Sequence, residues 1–284
     1  MVSIILPTYN GSMYIKQSID SILRQTYKNI ELIVVNDSST DDTLEIIKRY
    51  AEKDSRIRIV NNQVNKGLPV SLNIGFSVAK GRYLTWTSDD NYYDDNAIEI
   101  MVDALNKGVD FVYAKCYVID SQGKKIRVSS TDVPDKLKLN NCVWACFMYT
   151  RKVYTKVGRY NPCYRLIEDY DYWLRIHELG FEMQYLDQFL YYYRIHNKSL
   201  TMLKRNDVLR IEKKLRMHYL LTPRGLNKNE TQLYFREFIY SIYGLRRVTK
   251  ELHQKDYYFY KIISDVAGEL FYMIFKEKVC ENDE

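Results

Sequence analysis

The amino-acid sequence predicts an α/β protein in which a mostly parallel β-sheet is flanked by helices. In the first half of the chain, four short apolar runs alternate with four amphipathic segments of helical period. Short apolar runs are typical of strands buried on both faces, and helices are the connections that parallel strands require. The 284 residues, of which 46% are hydrophobic and 27% charged, are enough for a substantial core.

Each strand–helix repeat can be located from its pattern. The strands are predicted at 2–6, 30–35, 57–60 and 83–87. The helices are predicted at 14–24, 40–50, 69–79 and 95–106. Ile15, Ile19 and Ile22 recur at a spacing that puts them on one helical face. Pro69 stands near a helix start, where the missing N–H of proline costs nothing.

The second half of the chain has a mixed pattern. Strands are predicted at 111–119 and 190–194, a turn at 121–123, and a helix at 169–179. Beyond about residue 199 the pattern is helical, which predicts one domain over 1–200 and a helical C-terminal region over 201–284. Residues 204–250 carry twelve Lys and Arg against four Asp and Glu. This excess suits an anionic surface such as phospholipid headgroups or nucleic acid, or else a solvated helical face.

Several classes of protein are disfavoured by what the sequence lacks. No stretch approaches 18 uninterrupted apolar residues, and the chain opens on a strand pattern without a basic leader, so we expect a cytoplasmic protein. The five cysteines form no CxxC pair, which indicates free thiols. The sequence lacks a GxGxxG motif after the first strand. It also lacks the P-loop, GxSxG and HExxH motifs.

Residues suited to a nucleotide follow the first three strands, where functional loops of parallel sheets lie. The loop after the first strand contains Pro7, Thr8, Tyr9 and Asn10. An aromatic ring, a hydroxyl and an amide can stack on a base and bond its edges. Asp37 follows the second strand and is not explained by helix capping, so it is a candidate acceptor for a base N–H or a ribose hydroxyl. Lys66 follows the third strand and can meet phosphate.

Two pairs of adjacent acids are candidates for chemistry. Ser88, Asp89 and Asp90 follow the fourth strand, where neighbouring carboxylates repel unless a cation balances them. A divalent metal bridging to a diphosphate is one such cation, and a solvated acidic turn is the alternative. Glu168 and Asp169 stand at a loop-to-helix junction, where Asp169 is either an N-cap or a general base beside Trp173.

Several segments, taken in order, resemble glycosyltransferase family 2, the inverting sugar-nucleotide transferases with the GT-A fold. The opening residues 2–10 (VSIILPTYN) resemble the start of the family. Residues 18–27 (SIDSILRQTY), 31–43 (ELIVVNDSSTDDT) and 168–175 (EDYDYWLR) resemble three of its motifs. Arg194-Ile195-His196 resembles a late family motif. The resemblance covers about residues 1–200 and implies a Rossmann-like, mostly parallel sheet that binds a nucleotide sugar.

The resemblance also implies roles for individual residues. Thr8 and Tyr9, with Pro7 and Asn10 beside them, match residues that hold the nucleobase, and Asp37 matches the carboxylate that bonds uracil. Asp89, with Ser88 before it, matches a nucleotide-binding position, and Asp90, with His196, matches the site of Mg²⁺ or Mn²⁺. Asp169 matches the catalytic base, supported by Glu168. The residues on the acceptor side are expected to be Trp144, Cys146 and Trp173.

The implied reaction moves a sugar, most simply from a UDP-sugar, to a hydroxyl of a glycan or lipid-linked acceptor in surface polysaccharide synthesis. The family usually has a DxD motif, but Ser88 stands two residues before Asp90, so one acidic group is missing. In a shifted frame, Thr87 and Asp89 would form the pair instead. The basic segment 204–250 could rest on the inner leaflet, where a lipid-linked acceptor is presented. The oligomeric state is left open.

Two alternatives come from other classes of protein. A nucleotidyltransferase would want a Gly- and Arg-rich loop after the first strand, which residues 7–11 do not provide. A module that binds nucleic acid or a membrane surface without catalysis would use the basic segment 204–250. The aromatic residues of that segment recur at helical spacing, which is more typical of a core. We therefore expect no nucleic-acid partner.

Overall fold

A nine-stranded sheet organises the part of the chain that the computed structural model describes, residues 1–221 except Leu139. The strands are β1 Val2–Thr8, β2 Ile30–Asn36, β3 Ile57–Asn61, β4 Tyr83–Trp86, β5 Tyr92–Tyr93, β6 Phe111–Ile119, β7 Lys125–Val128, β8 Phe147–Thr150 and β9 Met183–Arg194. The helices are α1 Ile15–Leu23, α2 Thr43–Ala51, α3 Leu68–Val78, α4 Ala97–Leu105, α5 Arg151–Val157, α6 Glu168–Glu178, α7 Leu200–Leu203 and α8 Arg205–Leu221. The strand order is β3-β2-β1-β4-β8-β6-β9-β5, and β7 pairs with β6.

The first half of the sheet confirms the four predicted strand–helix repeats. Strands β3, β2, β1 and β4 are parallel neighbours, with Ile4 opposite Leu32 on one side and Thr85 on the other. The apolar stripe of α1 lies in the core. Helix α3 lies so close to β1 that a side chain at Gly75 would overlap Ile5. The parallel arrangement brings the loops after β1, β2, β3 and β4 to one edge of the sheet.

The second half of the sheet is mixed rather than parallel. Strand β8 runs antiparallel between β4 and β6, and β5 runs antiparallel to β9, whereas β6 and β9 are parallel. Strands β5, β7 and β8 have at most four residues, too few to show a period in the sequence. Strand β9 begins at Met183, earlier than the predicted start at residue 190. The sequence pattern missed the first residues of this strand because they are partly or fully exposed and include polar ones.

The chain divides into two compact units, residues 1–134 with 142–205, and residues 135–141 with those from 206 onward. In the predicted helical region 201–284, the described residues form most of α7 and all of α8. The remainder of that region, including most of the basic segment 204–250 and Cys280, lies outside the described residues. Within residues 1–221, no helix combines the length and apolar character needed to cross a membrane.

Candidate functional site

Hydrogen bonds of Thr8 join the ends of three parallel strands. Its carbonyl oxygen accepts from the backbone N–H of Asp37 at 2.8 Å, and its hydroxyl donates to Oδ2 of Asp89. The same carboxylate fills the space beside Gly11, where a Cβ atom would overlap it. The loop after β1 therefore tolerates only glycine next to Asp89. These contacts bring the predicted residues Thr8, Asp37 and Asp89 together as one connected group.

Asp37 holds the loop that follows β3 through hydrogen bonds. Its Oδ1 accepts from the Asn62 side-chain amide at 2.8 Å and from the Lys66 backbone N–H at 2.9 Å. Its Oδ2 accepts from the backbone N–H of Gly67 at 2.8 Å. The residue is only 4% exposed. A carboxylate offers about four acceptor positions, so these three bonds leave one on Oδ2.

The other residues predicted to bind a nucleotide surround this group. Tyr9 is 51% exposed, and Lys66 is also exposed. The side chain of Asn10 accepts from the backbone N–H of Thr40 at 2.8 Å and so ties the first loop to the second. Pro7 is buried within β1, and Ser88 is half-buried in the loop after β4. Among these five, Tyr9, Asn10 and Lys66 are therefore the exposed ones.

Asp89 and Asp90 lie in different surroundings although they are adjacent. Burial, and then the charge of Asp90, raise the pKa of Asp89 to about 7. Oδ2 of Asp90 lies 3.0 Å from Nε2 of His196. The Lys198 backbone N–H donates to Nδ1 of His196 at 3.2 Å, which leaves the proton of a neutral ring on Nε2, directed at Asp90. The side chain of Asp90 is thus aligned with the imidazole.

The donor atoms of Asp90 and His196 fit a divalent cation that also binds phosphate. Residues 1–221 without Leu139 hold no group of three or more His, Cys, Asp or Glu side chains that could bind a metal alone. Asp90 and His196 instead offer one carboxylate oxygen and the Nε2 of an imidazole. To bind a cation, Nε2 must give up its proton, which can move to Nδ1 if the hydrogen bond from Lys198 is broken. Mg²⁺ and Mn²⁺ accept oxygen ligands and commonly complete their shell with phosphate and water. The predicted metal residues are therefore suited to a site completed by a diphosphate.

Arg194 holds the loop after β4, which contains Asp89 and Asp90. It was not among the predicted site residues. Its buried guanidinium donates from Nε to the backbone oxygen of Asp90 at 2.9 Å and to the side chain of Gln17 at 2.6 Å. It also donates to the backbone oxygens of Asp120 and Ser121, each at 3.2 Å. One cation thus connects α1, the loop after β4 and the turn after β6. The sequence feature that could have identified Arg194 is its position two residues before the predicted site residue His196.

The second acidic pair, Glu168 and Asp169, lies at the start of α6. Glu168 is 4% exposed, and its Oε2 accepts from the backbone N–H of Leu166 at 2.9 Å. Burial, and then the charge of Asp169, raise the pKa of Glu168 to about 8. Asp169 is half-buried, and its Oδ1 accepts from the Tyr170 backbone N–H at 2.6 Å. Asp169 is therefore the more accessible carboxylate of the pair.

Tyr193, near the end of β9, relates the two acidic pairs to each other. Burial raises the pKa of its hydroxyl, and the charges of Asp90 and Asp169 add to the rise. Such an effect requires both carboxylates to be near the hydroxyl. The ring of Tyr193 also meets that of Trp144 edge-on, with 5.8 Å between their centroids. Tyr193 thus packs against Trp144, and its hydroxyl lies within electrostatic reach of Asp90 and Asp169.

The three residues predicted on the acceptor side have different surroundings. Trp144 is half-buried, has a φ of +60°, and carries the Arg127 guanidinium 5.3 Å from its ring. Cys146 and Trp173 are both 0% exposed, and Trp173 packs on Phe147 with centroids 4.4 Å apart. These two are core side chains, because they are fully buried among apolar and aromatic neighbours. Neither presents a surface to a ligand.

Comparison with known proteins agrees with this architecture. The profile of Glycosyl transferase family 2 matches residues 3–169, which is more than half of the chain. An uncharacterized glycosyltransferase of Rickettsia conorii is 37% identical over 62% of this chain and 31% of its own length. The chain thus spans about a third of that relative. The Escherichia coli UDP-Glc:alpha-D-GlcNAc-diphosphoundecaprenol beta-1,3-glucosyltransferase WfaP is 33% identical over 74% of this chain and 83% of its own length.

Solved structures show the same fold. S. aureus TarS in complex with UDP-GlcNAc superposes with a TM-score of 0.66 at 18% identity, covering 84% of this chain and 71% of TarS. The Pyrobaculum calidifontis mannosyltransferase PcManGT, in complex with GDP-Man and Mn²⁺, has a TM-score of 0.60 at 16% identity, with 100% and 88% coverage. The expected GT-A fold is confirmed, and the chain belongs to glycosyl transferase family 2.

Proposed function

We propose that this protein is an inverting glycosyltransferase that moves a sugar from a nucleotide diphosphate, with UDP favoured, to an acceptor hydroxyl. The observation that carries the proposal is the connected set of side chains at the strand ends. Thr8 joins Asp37 to Asp89, and Asp90 is aligned with His196. The more accessible acid of α6 lies near the same tyrosine as Asp90. Donor binding and chemistry can thus share one cleft.

The proposed donor site uses the loops after β1, β2 and β3. Exposed Tyr9 can stack on the base, and the acceptor position left on Asp37 suits a base N–H. Asp89 would face the ribose, and Lys66 would face phosphate. TarS has been solved with UDP-GlcNAc and PcManGT with GDP-Man, which supports a sugar nucleotide as the ligand of this edge of the sheet.

Asp90 and His196 would hold the divalent cation, for which the Mn²⁺ in the PcManGT structure is a precedent. When bound, the cation would stabilise the negative charge that develops on the departing diphosphate. Arg194 holds the backbone of Asp90 in place, so it is a positioning residue for this part of the site. Because Ser88 provides no carboxylate, the nucleotide itself must supply more of the ligands.

Asp169 is the proposed general base. It would take the proton of the acceptor hydroxyl while the new bond forms between the acceptor oxygen and the anomeric carbon. The bond from that carbon to the phosphate oxygen breaks, and the nucleoside diphosphate leaves with the electron pair. Glu168 is unsuited to the same role because its raised pKa keeps it largely protonated at neutral pH. We infer that Glu168 instead fixes the turn before α6.

The acceptor is proposed to be a lipid-linked glycan that contacts Trp144. WfaP, by its name, acts on a diphosphoundecaprenol-linked sugar, and Trp144 offers an aromatic surface beside Tyr193. A role in surface polysaccharide synthesis would follow from such an acceptor. The basic segment 204–250 could bring the enzyme to the lipid surface where that acceptor lies.

The direct test combines ligand binding with turnover. We expect UDP with Mn²⁺ to raise the melting temperature by several degrees, and UDP-sugars to be slowly hydrolysed or transferred. GDP and dTDP serve as controls for base preference. If none of the three diphosphates shifts the melting temperature and no sugar nucleotide is consumed, the proposal is wrong.

A further inference from the structure

Arg165 lies beside Gly67 in the loop after β3, and its charge offsets part of the rise that burial causes in the pKa of Glu168. The residue is exposed, and among residues 1–221 it makes no hydrogen bond or ion pair. A Cβ atom built on Gly67 would lie 3.5 Å from Cζ of Arg165, 3.6 Å from its Nε and 3.7 Å from one terminal nitrogen. These near-equal distances show that the flat side of the guanidinium faces Gly67.

The same glycine joins Arg165 to Asp37. The backbone N–H of Gly67 donates to Oδ2 of Asp37, which is the oxygen that keeps an open acceptor position. A donor group and an acceptor group therefore flank Gly67. Its φ of +82° is accessible to few other residues, which keeps a side chain from separating them.

The backbone after Arg165 is strained in a way that fixes this placement. Leu166 has a φ of +87°, which is an uncommon conformation for a bulky residue. The buried Glu168 accepts the Leu166 N–H at 2.9 Å and thereby holds the turn. Strain of this kind costs free energy and persists only where the surroundings enforce it. The bond to Glu168 thus anchors the backbone next to Arg165, whose side chain lies against Gly67.

We propose that Arg165 selects the nucleobase of the donor by donating to a carbonyl oxygen of the base while Asp37 accepts from the neighbouring N–H. This inference rests on the proposed function. Uracil presents an N–H next to a carbonyl oxygen, and guanine does likewise. Cytosine and adenine present an amino group where the carbonyl would be. Arg165 has only donors, so it matches the first class of bases and leaves the second class unpaired.

The test compares UDP with CDP, which differ at that position of the base and share the diphosphate. Dissociation constants are measured by calorimetry in Mn²⁺ for the wild type, Arg165→Met and Arg159→Met. Arg159 is another exposed arginine in the segment before α6, so its variant controls for the loss of one positive charge. The wild type should bind UDP at least tenfold more tightly than CDP. Arg165→Met should weaken UDP about tenfold and CDP less than threefold, and Arg159→Met should change neither.

Each other outcome overturns the inference. Equal losses for UDP and CDP in Arg165→Met would mean that the guanidinium acts on the diphosphate through charge alone. Unchanged dissociation constants for both nucleotides would mean that Arg165 does not contact the base. If the wild type transfers sugar from a UDP-sugar while the ratio of the two constants is unchanged in Arg165→Met, only this inference fails. If it binds no nucleotide, the proposed function fails with it. Unliganded melting temperatures confirm that the variants are folded.

Discussion

The two acidic pairs, Asp89–Asp90 and Glu168–Asp169, are alike in sequence but are held in different ways. In each pair, burial raises the pKa of the first member, to about 7 for Asp89 and about 8 for Glu168. In each pair the neighbouring charge adds to the rise. Each dipeptide thus contains one carboxyl group whose protonated form is favoured by burial.

The two acidic pairs differ in their hydrogen-bond partners. Thr8 and His196, from distant parts of the chain, bond the first pair, and Arg194 holds its backbone. In the second pair, Glu168 is bonded by the backbone of Leu166, two residues away. The first pair is therefore assembled by tertiary structure and suits a bridging ligand, whereas Glu168 of the second pair is held by the turn that precedes it. Substitutions can test the two pairs separately.

The largest expected effect is that of Asp169→Asn. The amide keeps the shape of the side chain but cannot take a proton, so the transfer rate should fall by 10² to 10⁴-fold, the usual contribution of a general base. The Kd for UDP should change less than threefold, because the first pair is untouched. Single-turnover transfer and calorimetry measure the two quantities. A rate within tenfold of the wild type would remove Asp169 from this role.

Gly11→Ala should damage the first pair through packing. The new Cβ would overlap Oδ2 of Asp89 and lie 2.6 Å from Oγ1 of Thr8. Overpacking typically costs about 1–3 kcal/mol, and here the displaced carboxylate should also weaken UDP binding. Gly75→Ala is the matched control, since it overlaps Ile5 in the core and should lower stability alone. Chemical denaturation and calorimetry compare them, and unaltered UDP binding in Gly11→Ala would contradict the proposed place of Asp89.

Asp90→Asn should reduce the benefit that Mn²⁺ gives to UDP binding by about tenfold, which corresponds to ~1.4 kcal/mol. A neutral amide is a weaker ligand than a carboxylate for a hard cation. Binding measured in a chelator should be nearly the same for the variant and the wild type. Equal Mn²⁺ enhancement in both proteins would show that Asp90 is not a metal ligand.

Glu168→Gln should change how stability depends on pH. The folded pKa of Glu168 is raised from 4.5 to about 8, so its favourable contribution is present below the unfolded pKa and is lost as pH rises toward 8. The wild type should therefore lose on the order of 2 kcal/mol more than the variant between pH 5 and 8. Urea unfolding across that range measures the difference. Parallel curves for the two proteins would contradict the buried, protonated state of Glu168.

Much of the first half of the fold could be predicted, because strand, helix and loop there follow one another in short local units. The strand-end positions of Thr8, Asp37, Asp89 and Asp90 came from the same pattern, and their association follows from parallel topology. Trp173 illustrates the limit. Its spacing in an aromatic helix is the same for a core residue as for a ligand wall, and the structure places it in the core.

Features that depend on distant contacts could not be read from local pattern. Strand β8 has four residues and finds its place only by pairing with β4 and β6. Arg194 acts through backbone oxygens, which every residue has, so no sequence pattern marks its partners. Arg165 precedes Leu166, whose positive φ could not be predicted because leucine rarely adopts that conformation.

The antiparallel insertion of β8 between β4 and β6 has a consequence for folding order. The parallel strands β1, β2, β3 and β4 are complete by Trp86, and pairing among them requires no later residue. Strand β6 pairs with this group only through β8, and β9 lies on the far side of β6. We therefore expect the first four strands to form a nucleus, with slower closure of the remaining strands over long sequence separations.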